Sequence, residues 1–352
     1  MRLNLEAVTI PFPLRLTRCC IHEGVNLSGA ETRLLSFAGS VSGSITGDQL
    51  VVEGTLFLND GFRAEGEVHL SGARITGDLN CTKGEFLSPS GVALDAESIA
   101  VGEAALLGDG LRVTGAVRLN RARINGILDC RGGKFRNPGG IALDAESIAV
   151  ADAALLSHGF LAKGMVNFTN GNIGAKLEFT QAIFRGEPSN GLAAHTFTIT
   201  GLFEWQEVST TEKTMLDLSR AKAGGLADDE SSWPAPGMLN LDGFVYGDII
   251  DGPRNARSRL HWLGRQSSPR FRPQPYQQLA KVLRESGQER EAARILMSRE
   301  DARRRFGDMG QWERYQHRLL GFTVGYAYRP YRVLILVLFY SFLVLFQGSF
   351  AT

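Results

Sequence analysis

The stretch Leu94-Asp-Ala-Glu-Ser-Ile-Ala-Val101 returns unchanged as Leu143-Asp-Ala-Glu-Ser-Ile-Ala-Val150. A return of the whole octapeptide at a spacing of 49 marks an internal repeat, and Gly61, Gly110 and Gly159 obey the same period, as do Gly66, Gly115 and Gly164. Laying Val68, Leu70 and Ile75 over Val92, Leu94 and Ile99 divides the period into two rungs, a spacing of 24 and then of 25. One apolar column then reads Leu70, Leu94, Leu119, Leu143, Phe168, Leu192, Leu218 and Leu241. A second reads Ile75, Ile99, Ile124, Ile148, Ile173, Phe197, Ala223 and Tyr246.

Around these columns the pattern alternates with period two, as in Phe62, Ala64, Gly66, Val68 and Leu70, so the segments are strands with one face inward. A strand that recurs only after a full rung pairs with its equivalent in the next turn. The expected fold is mainly β, a parallel β-helix. A β-sandwich or propeller also has short, evenly spaced strands, but it does not set like side chains in columns eight deep. A strict pentapeptide solenoid needs an apolar residue at every fifth position; Leu70 to Ile75 obeys this and Ile75 to Leu79 does not, which predicts a looser coil.

Composition agrees. Of 352 residues, 43% are hydrophobic and 21% charged, which excludes a disordered chain, and 41 glycines without a three-residue period imply frequent turns rather than collagen. Four cysteines are too few for a disulfide scaffold, and the reading is a reducing, cytosolic setting. Charge is distributed unevenly. Residues up to 252 carry 20 basic and 30 acidic groups, a net of −10, whereas residues 253–332 carry 18 against 7, a net of +11. Such an asymmetry marks a basic face for nucleic acid or for anionic lipid. Residues 333–352 decide for lipid: they hold no charge, and about 20 helical residues cross a hydrocarbon core of ~30 Å.

The expected organisation is an N-terminal cap over 1–23, a solenoid over 24–250 with a loop insertion at 227–237, and a connector over 251–272. A helical hairpin over 273–306, a basic, aromatic juxtamembrane segment over 307–329 and a transmembrane helix over 330–352 follow. In the hairpin Tyr276, Leu279, Ala280, Val282 and Leu283 share one face; Gly287 breaks the run before Ala292, Ala293, Ile295 and Leu296. The spacing matches one tetratricopeptide unit, but a lone unit lacks stacked neighbours, and the pair is expected to cover the last rung. Arg303, Arg304, Arg305, Trp312, Arg329, Tyr331 and Arg332 are the expected membrane-interface residues, since aromatic rings beside arginines suit that zone. Arg329 and Arg332 directly before the span put the solenoid on the cytoplasmic side.

The segments Leu241-Asp-Gly-Phe-Val-Tyr-Gly247, Arg259-Leu-His-Trp-Leu263, Pro273-Gln-Pro-Tyr-Gln-Gln-Leu-Ala280 and Val324-Gly-Tyr-Ala-Tyr-Arg-Pro-Tyr-Arg332 resemble a bacterial family of membrane-anchored β-solenoid proteins. Its members often bear the label membrane-associated oxidoreductase. The resemblance implies a solenoid held at a membrane and, through the label, redox activity. Members tend to continue into a second membrane segment, so the chain is expected to be either a tail-anchored variant or an incomplete one.

The residues themselves offer little chemistry. No G-x-G-x-x-G turn links a strand to a helix, and no cofactor is expected. The six histidines make no H-x-H or H-E-x-x-H pattern, so no metal site is argued. Cys81 and Cys130 are expected as small core residues two rungs apart, and the adjacent Cys19 and Cys20 lack metal-ligand spacing. The sharper candidate is a polar column of Ser71, Asp95, Asn120, Asp144, Thr169, Ala193, Ser219 and Asp242. With Glu97 and Glu146 beside Asp95 and Asp144, it could form a carboxylate groove for saccharide chemistry. Repetition of the same carboxylates favours a solvated outer face instead. The function expected is a membrane-tethered scaffold that presents a rigid repeat surface to a protein partner and touches anionic lipid but no nucleic acid. A membrane-associated oxidoreductase or a carbohydrate-active enzyme is the alternative.

Overall fold

The computed structural model describes residues 3–185, 191–211, 213–267, 271–307 and 310–324. The chain is a mainly β, parallel solenoid of about 11 turns followed by a few helices. It divides into one unit of residues 1–253 with 265–267 and a second of 254–264 with 268–352.

Each coil of the first unit is made of short strand segments, mostly of two residues, every one of which pairs in parallel with its equivalent in the neighbouring coil. In the early coils four such segments per turn put buried residues at positions i and i+2 and then step five residues on: Val25 and Leu27, Ala30 and Thr32, Leu35 and Phe37, Ser40 and Ser42. Two residues suffice for a strand here because its hydrogen bonds run to the next coil, so stability comes from stacking. At two corners per turn the chain passes through positive φ, as at Ser98, Arg121, Ser147 and Asn170, which stack in register. Elsewhere adjacent coils leave no room for a side chain: a Cβ at Gly174 would run into the carbonyl oxygen of Ala151.

The register corrects the rung length. Val68 pairs with Leu94, Leu94 with Val117, Val117 with Leu143 and Leu143 with Val166, so the turns alternate between a longer and a shorter one rather than running nearly equal. The period of 49 stands, but its halves are unequal. Extra residues are extruded at one corner of alternate turns, around Ser88–Gly91 and Asn137–Gly140, where the strands Glu85–Asp95 and Lys134–Asp144 carry register shifts. Leu70 therefore lies level with Ala96, not Leu94, because the Leu70 amide bonds to the Asp95 carbonyl. Level with Ile75 is Val101, not Ile99. The inner columns survive with alternate members moved by two residues: Leu70, Ala96, Leu119, Ala145 and Phe168, and Ile75, Val101, Ile124, Val150 and Ile173, all buried. Moving by two keeps a residue on its face of the strand, so the same positions point inward in either register.

Residues 3–22, expected as a cap, are the first coil: Leu3 pairs with Val25, Thr9 with Glu31, Leu14 with Leu35 and Cys20 with Val41. The first coils are irregular in length, since Leu3 lies level with Val25, Val25 with Ile45 and Ile45 with Val68, and the second keeps the five-residue step throughout. They lack an apolar signature because Thr32, Ser40 and Ser42 take inward positions. Ser40 Oγ accepts from the Cys19 amide and donates to the Leu16 carbonyl at 2.5 Å, so a small hydroxyl is satisfied at an inward position.

The insertion at 227–237 is only partly a loop. Strand Lys222–Asp228 runs into it, a 3₁₀ turn follows at Glu230–Ser232, and Trp233 is buried. Trp233 Nε1 donates to Asp228 Oδ2 at 2.8 Å, and the Ser232 carbonyl accepts from Trp205 Nε1 at 2.7 Å. Burial pushes the Asp229 carboxyl up, but hydrogen bonds from Ser231, the Glu207 amide and Ser232 outweigh it and hold its pKa below the ordinary value.

The second unit contains α1 (Ala256–Leu263), α2 (Gln274–Glu285), α3 (Glu289–Phe306) and α4 (Gln311–Val324). The hairpin α2–α3 matches the expectation, with Leu279, Val282, Leu283, Ala292, Ile295 and Leu296 buried. The expected connector holds α1, whose Asn255 cap accepts from the Ser258 amide, and a short return to the sheet through the bridge of Leu239 with Gln266. The expected juxtamembrane segment holds α4. No helix among the described residues is long and apolar enough to cross a membrane. The span expected at 330–352, with Arg329, Tyr331 and Arg332, lies outside the described residues.

Candidate functional site

The four carboxylates singled out from the sequence fall into two parallel columns rather than one. Asp95 and Asp144 belong to the ladder His69, Asp95, Arg118, Asp144, Asn167, Ala193. Glu97 and Glu146 belong to the neighbouring one, whose levels follow from the Gly72 amide bonding to the Glu97 carbonyl and the Arg121 amide to the Glu146 carbonyl. Asp95 and Asp144 remain two coils apart, ~10 Å at ~4.8 Å per coil, but Arg118 now stands between them. Its Nη1 is 3.6 Å from Asp95 Oδ2. Arg118 thus pairs with Asp95 and separates it from Asp144 along the ladder.

Most of these polar groups serve the turns. Asp95 Oδ1 accepts from the Glu97 amide, Asn167 Oδ1 from the Thr169 amide and Asp217 Oδ1 from the Ser219 amide, each two residues on. Such Asx turns give aspartate and asparagine a structural reason to recur at a corner. Asp144 instead accepts from Asn167 Nδ2 at 2.8 Å and from Asn120 Nδ2 at 3.2 Å, and Glu97 is paired with Arg121. The expectation of a freely solvated column is therefore corrected: Asp95 is 8% exposed, and Asp144 and Glu97 are half-buried. Glu146 alone of the four is exposed.

The same ladder brings together a group that the sequence did not announce. Glu67, His69 and Asp95 each offer a ligand atom, all within 4.8 Å of one another. Glu67 and His69 share the outer face of one strand, with Glu67 Oε2 3.1 Å from His69 Nε2, and Asp95 arrives from the next coil opposite His69. One imidazole and two carboxylates form a donor set that suits a first-row divalent ion, although the Arg118 guanidinium on the Asp95 side opposes a second cation. The sequence holds a Glu-x-His signal, but the third ligand lies a whole turn on from His69, and only the register of the longer turn delivers it.

The cysteines are placed as expected for core residues. Cys81 and Cys130 are buried with Leu107 between their levels, and burial raises both thiol pKa values above the ordinary range. Such thiols are poor nucleophiles. Cys19 is half-buried and Cys20 exposed.

In the helical unit, Arg304 and Arg305 from the last turn of α3 and Gln311, Arg314, Tyr315 and Arg318 from α4 line a cavity of about 450 Å³. The α4 residues follow i, i+3, i+4, i+7 spacing, which sets them on one face. Tyr315 stacks on Trp312 with ring centroids 5.9 Å apart and planes at 21°, and both rings are exposed. Of the expected interface residues, Arg304 and Arg305 line the cavity, Trp312 supports its aromatic wall, and Arg303 turns to Glu300 at 3.9 Å. The sequence reading did not single out Gln311, Arg314 and Arg318, for want of a helix over 311–324.

No family model, curated protein or solved structure matches the chain.

Proposed function

We propose that this protein is a scaffold tethered at a membrane, in which the solenoid presents a rigid surface to a protein partner and the helical unit meets anionic lipid. The observation that carries this reading is the exposed basic and aromatic surface of α3 and α4. Arg305, Arg314 and Arg318 are exposed beside Phe306, Trp312 and Tyr315, shortly before a run of 20 residues without charge. Arginine with interfacial aromatics is the chemistry of a bilayer surface, and the run has the length of a span. The transmembrane helix over 330–352, the cytoplasmic placement of the solenoid and membership of the membrane-anchored solenoid family belong to the same proposal. The test is membrane fractionation of the full chain against a chain ending at residue 324. Retention in the membrane pellet through alkaline carbonate for the full chain alone is expected; equal release of both forms defeats the tether.

A second reading, a membrane-associated enzyme, is favoured by one observation, the Glu67–His69–Asp95 donor set. Purified protein that carries a stoichiometric transition metal, lost in His69→Ala, supports it. Metal-free protein that takes up none on incubation with zinc or manganese removes its basis.

A further inference from the structure

The cavity between α3 and α4 has a composition that a general membrane-facing surface does not require. Four guanidinium groups, of Arg304, Arg305, Arg314 and Arg318, converge on one cavity of about 450 Å³, and no carboxylate is among its described lining residues. Arg304 is held by Asp301 at 3.3 Å, whereas Arg305, Arg314 and Arg318 form no ion pair with a described residue. Lys176 in the solenoid, by contrast, is held between Glu178 at 2.9 Å and Glu204 at 2.6 Å. The cavity's three like charges and the fourth beside them repel one another, and an anion between them relieves that repulsion. Guanidinium forks match phosphate oxygens two at a time, and several forks around one centre suit a dianion better than a singly charged diester. Tyr315, backed by Trp312, forms an aromatic wall at the same cavity and offers a phenol hydroxyl as a further donor.

We infer that this cavity is a binding site for a phosphomonoester dianion, gripped by Arg305, Arg314 and Arg318 with Arg304 in support. The shared chemistry is the monoester phosphate, carried either by a lipid such as phosphatidic acid or by a small free phosphate. The lipid source rests on the membrane reading above; the phosphate site itself does not.

The experiment uses the full chain in neutral detergent and isothermal titration with three probes: dihexanoyl phosphatidic acid, dihexanoyl phosphatidylglycerol and inorganic phosphate. Dihexanoyl phosphatidic acid is expected to bind at least tenfold more tightly than the phosphatidylglycerol diester. The Arg314→Gln/Arg318→Gln double variant is expected to lose at least tenfold in affinity for it, and Arg290→Gln, exposed in the first turn of α3 and outside the cavity, to bind as the parent does. Tighter binding of the short-chain lipid than of inorganic phosphate assigns the lipid source, and equal binding assigns a free phosphate; either supports the site. Failure of both monoesters to bind overturns the inference, as does a double variant that binds like the parent. Both arginines are exposed on α4, so the variant keeps its fold, which unchanged circular dichroism checks. Phosphate binding without retention in membranes would defeat the tether and leave the site; the reverse outcome would defeat the site alone.

Discussion

The solenoid and the helical unit arrange charge on a folded surface differently. In the solenoid each coil stacks on the next, and some charged residues meet a partner on a neighbouring turn: Arg63 meets Glu85 at 2.7 Å, and Arg121 meets Glu97. In the helical unit short-range pairs satisfy part of the basic excess, as between Arg294 and Glu291 at 2.6 Å, while the arginines of the α3–α4 cavity are left over. The lesson is that stacking sets opposite charges side by side at certain levels of the ladder. Where like charges gather on one cavity, as they do between α3 and α4, a ligand is to be sought.

The strongest way to break this comparison is through the solenoid's inner columns. Leu119→Ala or Ile124→Ala removes methylenes packed between two coils and is expected to cost about 2 to 5 kcal/mol in denaturant unfolding. Tolerance of both would mean that stacking does not hold the unit. Gly174→Ala should cost about 1 to 3 kcal/mol through overpacking, because a methyl must displace the Ala151 carbonyl of the adjoining turn; an unchanged unfolding midpoint would refute the close approach.

Smaller effects sharpen the polar side. Asp229→Ala removes the acceptor for the Ser232 and Glu207 amides and is expected to cost about 0.5 to 2 kcal/mol, as lost caps do. Because the folded Asp229 pKa is lowered, its contribution is complete above the unfolded value of about 3.9 and is lost as pH falls through the folded one. The stability difference between the parent and Asp229→Asn should therefore shrink on acidification below about pH 4; a difference that grows there would reverse the assignment. Asp144→Asn leaves one of two amide donors facing another amide and should cost about 0.5 to 1.5 kcal/mol. Glu146→Gln, exposed and one column over, is expected to stay within about 0.5 kcal/mol. If those last two changes exchange their magnitudes, the two-column register is wrong.

The sequence by itself determined the solenoid, its period of 49, the inward residues and the α2–α3 hairpin, because those depend on periodicity: two along a strand, 3.6 along a helix, and a like residue at each turn. It also carried the basic excess of residues 253–332, which composition records without any fold. Only the tertiary structure decided the register. Similarity places Leu94 on Leu70, but the extra residues near Ser88–Gly91 and Asn137–Gly140 leave the strand and return to it two positions out of step, and no side-chain preference reports that detour. On that shift depend Arg118 standing between Asp95 and Asp144 and Asp95 meeting His69 and Glu67. Likewise the arginines at 304, 305, 314 and 318 are dispersed in the sequence and become one cavity only when α4 sets its face beside the last turn of α3. Periodicity is a local property of a chain, whereas a site is made by residues whose distance along the chain says nothing of their distance in space.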